Sequence, residues 1–418
     1  MSDKMKTGIY SEIGKLEGVI LHTPGREVEE MTPENAERAL YSDILNLSVA
    51  GKEYLQLKGV LNKITRTFEV KELLGDVLKN EQIKEALLKE ICQRENAIKI
   101  LPYLLDLKAE EAARQLIQGV PLKRDNLTSY LSAERFSLRP LHNFLFTRDA
   151  SMGFFDRILI GKMASSVRGR ESIIMNAIFT HHPEIDARTI DPSNNSFSES
   201  ISIEGGDFLV AREDVLVIGS GVRTSTQGID FIIEQLKLNT HQSYHLLVQE
   251  LPSTPESFIH LDMVFTFLDR DCCMIYKPLI LGTTRFHTIH IRIEHGKVVS
   301  IREQKNLIDA LKKLGIDLKP VTCGGNKDAW TQEREQWHSG ANFFAFAPGQ
   351  VMGYERNEHT IEEMDKNGFE IIRAEDLLSG KAALPAGKCA VTIAGSELAR
   401  GGGGARCMTM PFSRKKVE

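Results

Sequence analysis

A cysteine, a histidine and three carboxylates stand out because each lies in a short polar motif beside an apolar, strand-like run. The motifs are Phe146-Thr147-Arg148-Asp149, Glu204-Gly205-Gly206-Asp207, His260-Leu261-Asp262 and Gly403-Gly404-Ala405-Arg406-Cys407. Taken singly, each has an ordinary reading. Asp149 would pair with Arg148 at a surface, and Glu204 would serve a turn. His260 would be a satisfied histidine, and Cys407, beside Met408-Thr409-Met410, an inert core thiol. Taken together they narrow the chemistry. A Cys–His pair points to nucleophilic catalysis. Acyl transfer wants donors around a developing oxyanion, which a ring of carboxylates would oppose. Surplus acid suits a cationic substrate instead, and a planar guanidinium fits two carboxylates as a charge-assisted fork. Asp149 and Asp262 are the candidate clamps that turn its central carbon toward the sulfur. If residues 260 to 262 form a strand, His260 and Asp262 point to the same side. Such anions raise the pKa of Cys407, so the free protein is expected to hold a thiol that ionises as a cation arrives.

Elements must bring these motifs together, and the chain repeats one pattern from about residue 150 onward. Asp207–Ala211 and Val215–Gly219 read as a hairpin around a polar turn. Gln227–Leu238 follows with apolar residues Ile229, Ile232, Ile233 and Leu236 at helical spacing, and Leu246–Leu251 closes the unit as a strand. Comparable units start at residues 151, 263 and 342, so that the starts at 151, 207 and 263 are evenly spaced. In the last unit, Phe369–Ala374 reads as the closing strand. The polar motifs fall at nearly one phase, just before a hairpin or strand. A closed ring of such units would satisfy their strand edges and bring equivalent positions to one axis. Between about Glu72 and Ala133 the pattern is helical instead, with Pro102 interrupting one segment and charged residues forming a solvated face.

Composition excludes several classes. The chain has 418 residues, 42% hydrophobic and 26% charged, with net charge −5, which suits an ordinary globular protein. Mild acidity (pI about 6.2) disfavours generic nucleic-acid binding. No apolar run is long enough for a membrane span, and Met1–Tyr10 lacks an apolar signal core. The six cysteines lack C-x-x-C spacing and read as reduced intracellular thiols. His287-x-x-His290, His181-His182 and Cys272-Cys273 do not have the spacing of a zinc site. Gly401 to Gly404 precede neither Gly-Lys-Ser/Thr nor a helix, so they form no phosphate loop.

The joint pattern of Phe-Thr-Arg-Asp, Glu-Gly-Gly-Asp, His-Leu-Asp and Arg-Cys-Met-Thr-Met-Pro resembles the arginine deiminases, from Ser11-Glu12-Ile13-Gly14 through Pro411 and including Arg334-Glu335-Gln336-Trp337. The resemblance implies an α/β fold: a five-bladed pseudo-symmetric propeller of ββαβ units, residues 1–71 and 134–418, split by a small helical domain at 72–133. It implies conversion of free L-arginine to L-citrulline and ammonia without metal or organic cofactor, by a cytoplasmic homo-oligomer (dimer or tetramer). Carried across, Cys407 is the nucleophile, His260 the general acid–base, Glu204 its orienting group, and Asp149 and Asp262 the guanidinium ligands. Asn143, Phe146, Arg168 and Arg223 match substrate-binding positions, and the two arginines suit an α-carboxylate. Some relatives carry an arginine in the glycine-rich loop where this chain has Gly402, which leaves open whether Arg400 or Arg406 meets substrate. The same residues would also serve an amidinotransferase or a hydrolase of methylated arginines or agmatine, and the fold would serve a silent binding propeller.

Overall fold

The computed structural model describes residues 4–38, 40–41, 43–194 and 200–417. Met1 to Asp3, on which the reading of the amino-terminus partly rests, lie outside them.

The expected unit is clearest at 208–250. Phe208–Arg212 pairs antiparallel with Val215–Ser220 across a polar turn. The helix Thr226–Lys237 starts at Ser225, whose hydroxyl accepts from the Gly228 N–H, and buries Ile229, Ile232, Ile233 and Leu236. Tyr244–Glu250 then returns parallel to Val215–Ser220. Both faces of the middle strand are buried, as its unbroken apolar run requires. Val217 faces one core with Leu247, while Leu216 and Ile218 face another with Phe208.

Four further sheets repeat this scheme, one antiparallel pair plus one parallel partner. Ser151–Phe154 pairs with Arg157–Ile160, which is joined by Thr189–Ile190. Phe265–Asp269 pairs with Cys272–Ile275, joined by Lys319–Thr322. Phe344–Ala347 pairs with Gln350–Tyr354, joined by Cys389–Ile393. The last sheet unites the two halves of the chain: Met410–Arg414 pairs antiparallel with Leu16–Leu21, which runs parallel to Arg66–Glu69.

Two readings change. Glu370–Arg373 is an edge strand, and Cys389–Ile393 lies between it and Gln350–Tyr354. The reason is composition: Cys-Ala-Val-Thr-Ile is buried throughout, whereas Glu-Ile-Ile-Arg carries exposed charges at both ends, which a sheet edge tolerates. In the unit that starts at 263, the stretch between Cys272–Ile275 and Lys319–Thr322 adds a hairpin, Thr288–Glu294 with Lys297–Gln304, that extends the neighbouring 208–250 sheet.

Helices Val70–Leu78, Glu81–Arg94, Leu101–Asp106 and Ala109–Gln118 form the helical region. Pro102 does not interrupt a helix; it lies in the first turn of Leu101–Asp106, where its missing N–H costs nothing. Among the described residues no helix is long and apolar enough to cross a membrane. All six cysteines are free and buried.

Candidate active site

Each polar motif occupies a turn that leads into a strand of an antiparallel pair, a hairpin in every case but that of Cys407, whose strand pairs with Leu16–Leu21. Asp149 lies in a turn before Ser151–Phe154, and Cys407 in a turn before Met410–Arg414. Glu204 precedes the 3-10 turn Gly205–Asp207, directly before Phe208–Arg212. His260 and Asp262 are not on a strand, as alternation suggested. His260 has extended backbone and caps the 3-10 turn Leu261–Met263 ahead of Phe265–Asp269. Tertiary contacts hold this turn. The Leu261 N–H donates to Asp207 Oδ1 (2.9 Å), and Gln336 Nε2 donates to the carbonyls of Ser257 (2.7 Å) and Met263 (3.2 Å). The second glycine of the Glu-Gly-Gly-Asp motif makes room for the imidazole: a Cβ on Gly206 would lie 2.5 Å from His260 Cγ.

The five candidate catalytic side chains converge and are all buried. Cys407 Sγ lies 3.7 and 3.9 Å from the carboxylate oxygens of Asp262. His260 Nε2 is 2.9 Å from Glu204 Oε2, and its Nδ1 is 3.8 Å from Asp149 Oδ1. Glu204 is fixed in turn through Oε1, which accepts from the Ala164 N–H (3.0 Å).

The clamping carboxylates differ from the expectation in one respect: each already holds an internal arginine. Asp149 Oδ2 is 2.7 Å from Arg168 Nη1, and Asp262 Oδ2 is 2.8 Å from Arg406 Nη1. Asp149 Oδ1 is buried without a hydrogen-bond partner, an unmet acceptor next to the imidazole. Arg168, matched to the amino-acid end of a substrate, is engaged by Asp149 and by Glu171 (2.8 Å). Arg223 keeps a partly exposed guanidinium 3.8 Å from Glu204 Oε1. Asn143 is buried beside this group, and the Phe146 ring stacks near Tyr41, centroids 6.5 Å apart. Arg400 pairs with Asp43 (2.9 Å) and Glu397 (3.1 Å) on the outside. Arg406 is buried and bonded through all three nitrogens to Glu12, Asp262 and the carbonyls of Gly205 and Phe208.

Sequence reasoning missed Asn342. It is buried, and its Nδ2 donates to Cys407 Sγ (3.2 Å). It precedes Phe344–Ala347 and so occupies the phase of the other motifs in a fifth unit. That phase was the available signal.

Electrostatics follow from burial against pairing. Burial pushes the Cys407 thiol well above its ordinary value, and Asp262 and Asp149 add to the rise. Burial alone would depress His260, but Asp149, the Glu204 hydrogen bond and Asp207 outweigh it and raise it to about 9. Glu204 and Asp149 are held low against burial, chiefly by His260. Asp262 is pushed up by burial, beyond what Arg406 offsets. At neutral pH the site therefore holds a thiol, an imidazolium and several carboxylates. Asp149, Glu204 and His260 each place one potential metal-ligand atom within 4.8 Å of the others. The same three side chains form an ion-pair network, with His260 between Glu204 and Asp149. A cavity of about 990 Å³, lined by Lys162, Val167 and Arg170, opens elsewhere, and none of the five candidate catalytic residues lines it.

Comparison with known proteins places the chain in a family. A family model described as arginine deiminase matches residues 37–414. The arginine deiminase of Listeria monocytogenes serovar 1/2a is 32% identical over 435 residues, covering 100% of both chains. That of Bacillus cereus strain ATCC 10987 is 31% identical over 428 residues, covering 98% of each. Among solved structures, SxtG, an amidinotransferase from Microseira wollei, superposes with TM-score 0.54 at 12% identity over 98% of each chain. The N-terminal domain of ArgZ, an arginine dihydrolase from cyanobacteria, gives 0.52 at 11% identity over 96% of this chain and 99% of its own. The distant structures share the mixed α/β fold. Because the family model and the curated relatives match nearly end to end, the chain belongs to the arginine deiminase family.

Proposed function

We propose that this chain hydrolyses free L-arginine to L-citrulline and ammonia, in arginine degradation, through a covalent intermediate on Cys407. The observation that carries the reading is a buried sulfur 3.7 Å from one carboxylate, in a site where a buried imidazole lies between two others. Such a site repels an anionic transition state and attracts a carbon that stays cationic.

In this reading Asp149 and Asp262 orient the guanidinium. The thiol gives its proton up to solvent as the cation enters, and Sγ bonds to the central carbon as the C=N π pair moves onto nitrogen. His260 gives its proton to the leaving nitrogen, the C–N bond breaks and ammonia departs, leaving an S-alkylthiouronium. Water then adds to that carbon while neutral His260 takes its proton, and the C–S bond breaks to release citrulline. Glu204 keeps His260 oriented and cationic at the start of each cycle. Arg223, Asn143, Phe146 and Arg168 surround the amino-acid end of the substrate. Binding there requires Arg168 to give up part of its pairing with Asp149.

The five sheets of one pairing scheme support a closed five-bladed propeller, with residues 1–71 and 134–418 as the catalytic unit and 72–133 as an inserted helical domain. We extend the reading to a cytoplasmic homo-oligomer. The test is incubation with L-arginine and assay of citrulline and ammonia, with Cys407→Ser in parallel. Product from the wild type and none from the variant is expected. Equal turnover in both removes the covalent route, and no citrulline from either removes the assignment.

A further inference from the structure

We infer that Asn342 is a catalytic residue of this site, whose side-chain amide donates a hydrogen bond to Cys407 Sγ and so favours the thiolate. The inference rests on the proposed function only in taking Cys407 as the nucleophile.

The orientation of an asparagine amide follows from its neighbours, and here the neighbours are unambiguous. Asn342 Oδ1 faces two backbone N–H groups, those of Arg406 (2.9 Å) and Cys407 (3.2 Å). Both can only donate, so the oxygen must face them. The amide nitrogen then faces the carbonyl of Asp262 (3.1 Å) and Cys407 Sγ (3.2 Å). The carbonyl can only accept and takes one hydrogen; the other faces Cys407 Sγ, which is nearer than the Met263 thioether at 3.7 Å. The whole group is 1% exposed, so water does not compete for these bonds.

The sulfur needs such a donor. Burial, Asp262 and Asp149 all oppose its ionisation. The Gly404 N–H and the Arg406 charge offset part of that rise, and a further neutral donor adds relief without competing for the substrate's charge. An amide meets that need, and one planar group both fixes the Arg406–Cys407 backbone and donates to the thiolate. Neither a carboxylate nor an aliphatic side chain does both. The site is also shaped around it: a Cβ on Gly404 would lie 2.6 Å from Asn342 Oδ1 and 2.7 Å from its Cβ. Gly404 therefore leaves the space in which the amide lies flat against the nucleophile's turn.

Two variants separate donation from scaffolding. Asn342→Asp keeps an acceptor for both backbone N–H groups, loses the donor to sulfur and adds an anion that itself opposes the thiolate, so an unchanged alkylation rate in it is the decisive negative result. Asn342→Ala loses both. The readout is the rate of Cys407 alkylation by iodoacetamide at pH 8, assigned by peptide mass mapping, with kcat and KM for L-arginine and a thermal melt alongside. Losing one hydrogen bond to a charged group raises the thiol pKa by about one to two units. Because a more basic thiolate is also more nucleophilic, alkylation slows by about four- to fifteen-fold. The expected result is that slowing in both variants, with kcat reduced and KM little changed, while Asn342→Asp melts close to wild type. If Asn342→Asp alkylates and turns over like wild type, the donor role is overturned, and a defect confined to Asn342→Ala assigns the residue to scaffolding alone. Alkylation reads the thiol directly, so absence of citrulline from the wild type would count against the proposed function without touching this measurement.

Discussion

While burial and Asp262 push the Cys407 thiol up, Asp149, the Glu204 hydrogen bond and Asp207 raise the His260 imidazole, against its burial, to about 9. Its charge comes from the carboxylates around it, and removing one should be visible in the rate. Glu204→Gln keeps a hydrogen-bonding side chain against Nε2 and deletes the charge. His260 should then lose its proton at lower pH, by about one unit or more. The alkaline limb of kcat/KM, expected near pH 9 in the wild type, should move down by that amount; a limb that stays put would mean that Glu204 does not set the acid. The sign for stability is fixed by the direction of the shift. A raised imidazole pKa stabilises the fold fully below the unfolded value, about 6.5, and that contribution is lost as pH rises through about 9. At this scale the sequence was largely legible. Asp149, Glu204, His260, Asp262 and Cys407 carry chemistry in their identity, and they converge. Asn342 was not legible, because an asparagine before a hairpin has an ordinary turn role and the sulfur that it meets is 65 residues away.

Turns, more than strands, place the chemistry. The hairpin–helix–strand unit could be read from alternation and helical spacing because each is a local pattern. The order of strands within a sheet is not local, and Cys389–Ile393 shows the consequence: its central place depends on which neighbour buries both its faces. The His260 turn shows another. His-Leu-Asp-Met alternates like a strand, yet it folds as 3-10 because Asp207 and Gln336, 54 and 73 residues away, hold its N–H and carbonyl groups. Gln336 is therefore a positioning residue. Gln336→Leu should free the carbonyl end of the turn at Met263 and the Ser257 carbonyl before it, lowering kcat for L-arginine by about ten- to hundred-fold, since small displacements of reacting groups carry such costs. His260 would also move relative to Glu204, so the alkaline limb should shift with kcat. A melt lowered without any change in kcat or in that limb would make Gln336 a structural residue only.

Across the whole molecule, the amino-terminal segment reaches into the site from the other end of the chain. Glu12 Oε2 pairs with Arg406 Nε (3.0 Å), and its Oε1 accepts from the Val210 N–H (3.3 Å). It thus ties the strand that begins at Leu16 to the turn of Cys407 and to the 208–250 sheet. Three buried guanidiniums, Arg148, Arg406 and Arg414, share its charge. Burial lowers Arg148 to about 9 and Arg414 to about 10, with Arg406 adding to both falls. Glu12 itself is held below the usual carboxylate range, because these arginines, Arg406 first, outweigh burial. Removing one partner from a buried ion network leaves uncompensated charge and costs about 3–5 kcal/mol. Glu12→Gln should therefore lower the unfolding free energy by about that amount near neutral pH, read by urea denaturation. The direction of the Glu12 shift sets the pH dependence. A depressed carboxylate contributes stability above its unfolded value, about 4.3, and loses it as pH falls through the folded one. The difference between wild type and Glu12→Gln should thus be largest near neutrality and shrink toward acid. Asp262 would then be the remaining carboxylate paired with Arg406 and would hold it more tightly, so KM for L-arginine should rise along with the loss of stability. A variant as stable as wild type at pH 7, with unchanged KM, would show that the amino-terminal carboxylate supports neither the fold nor the site.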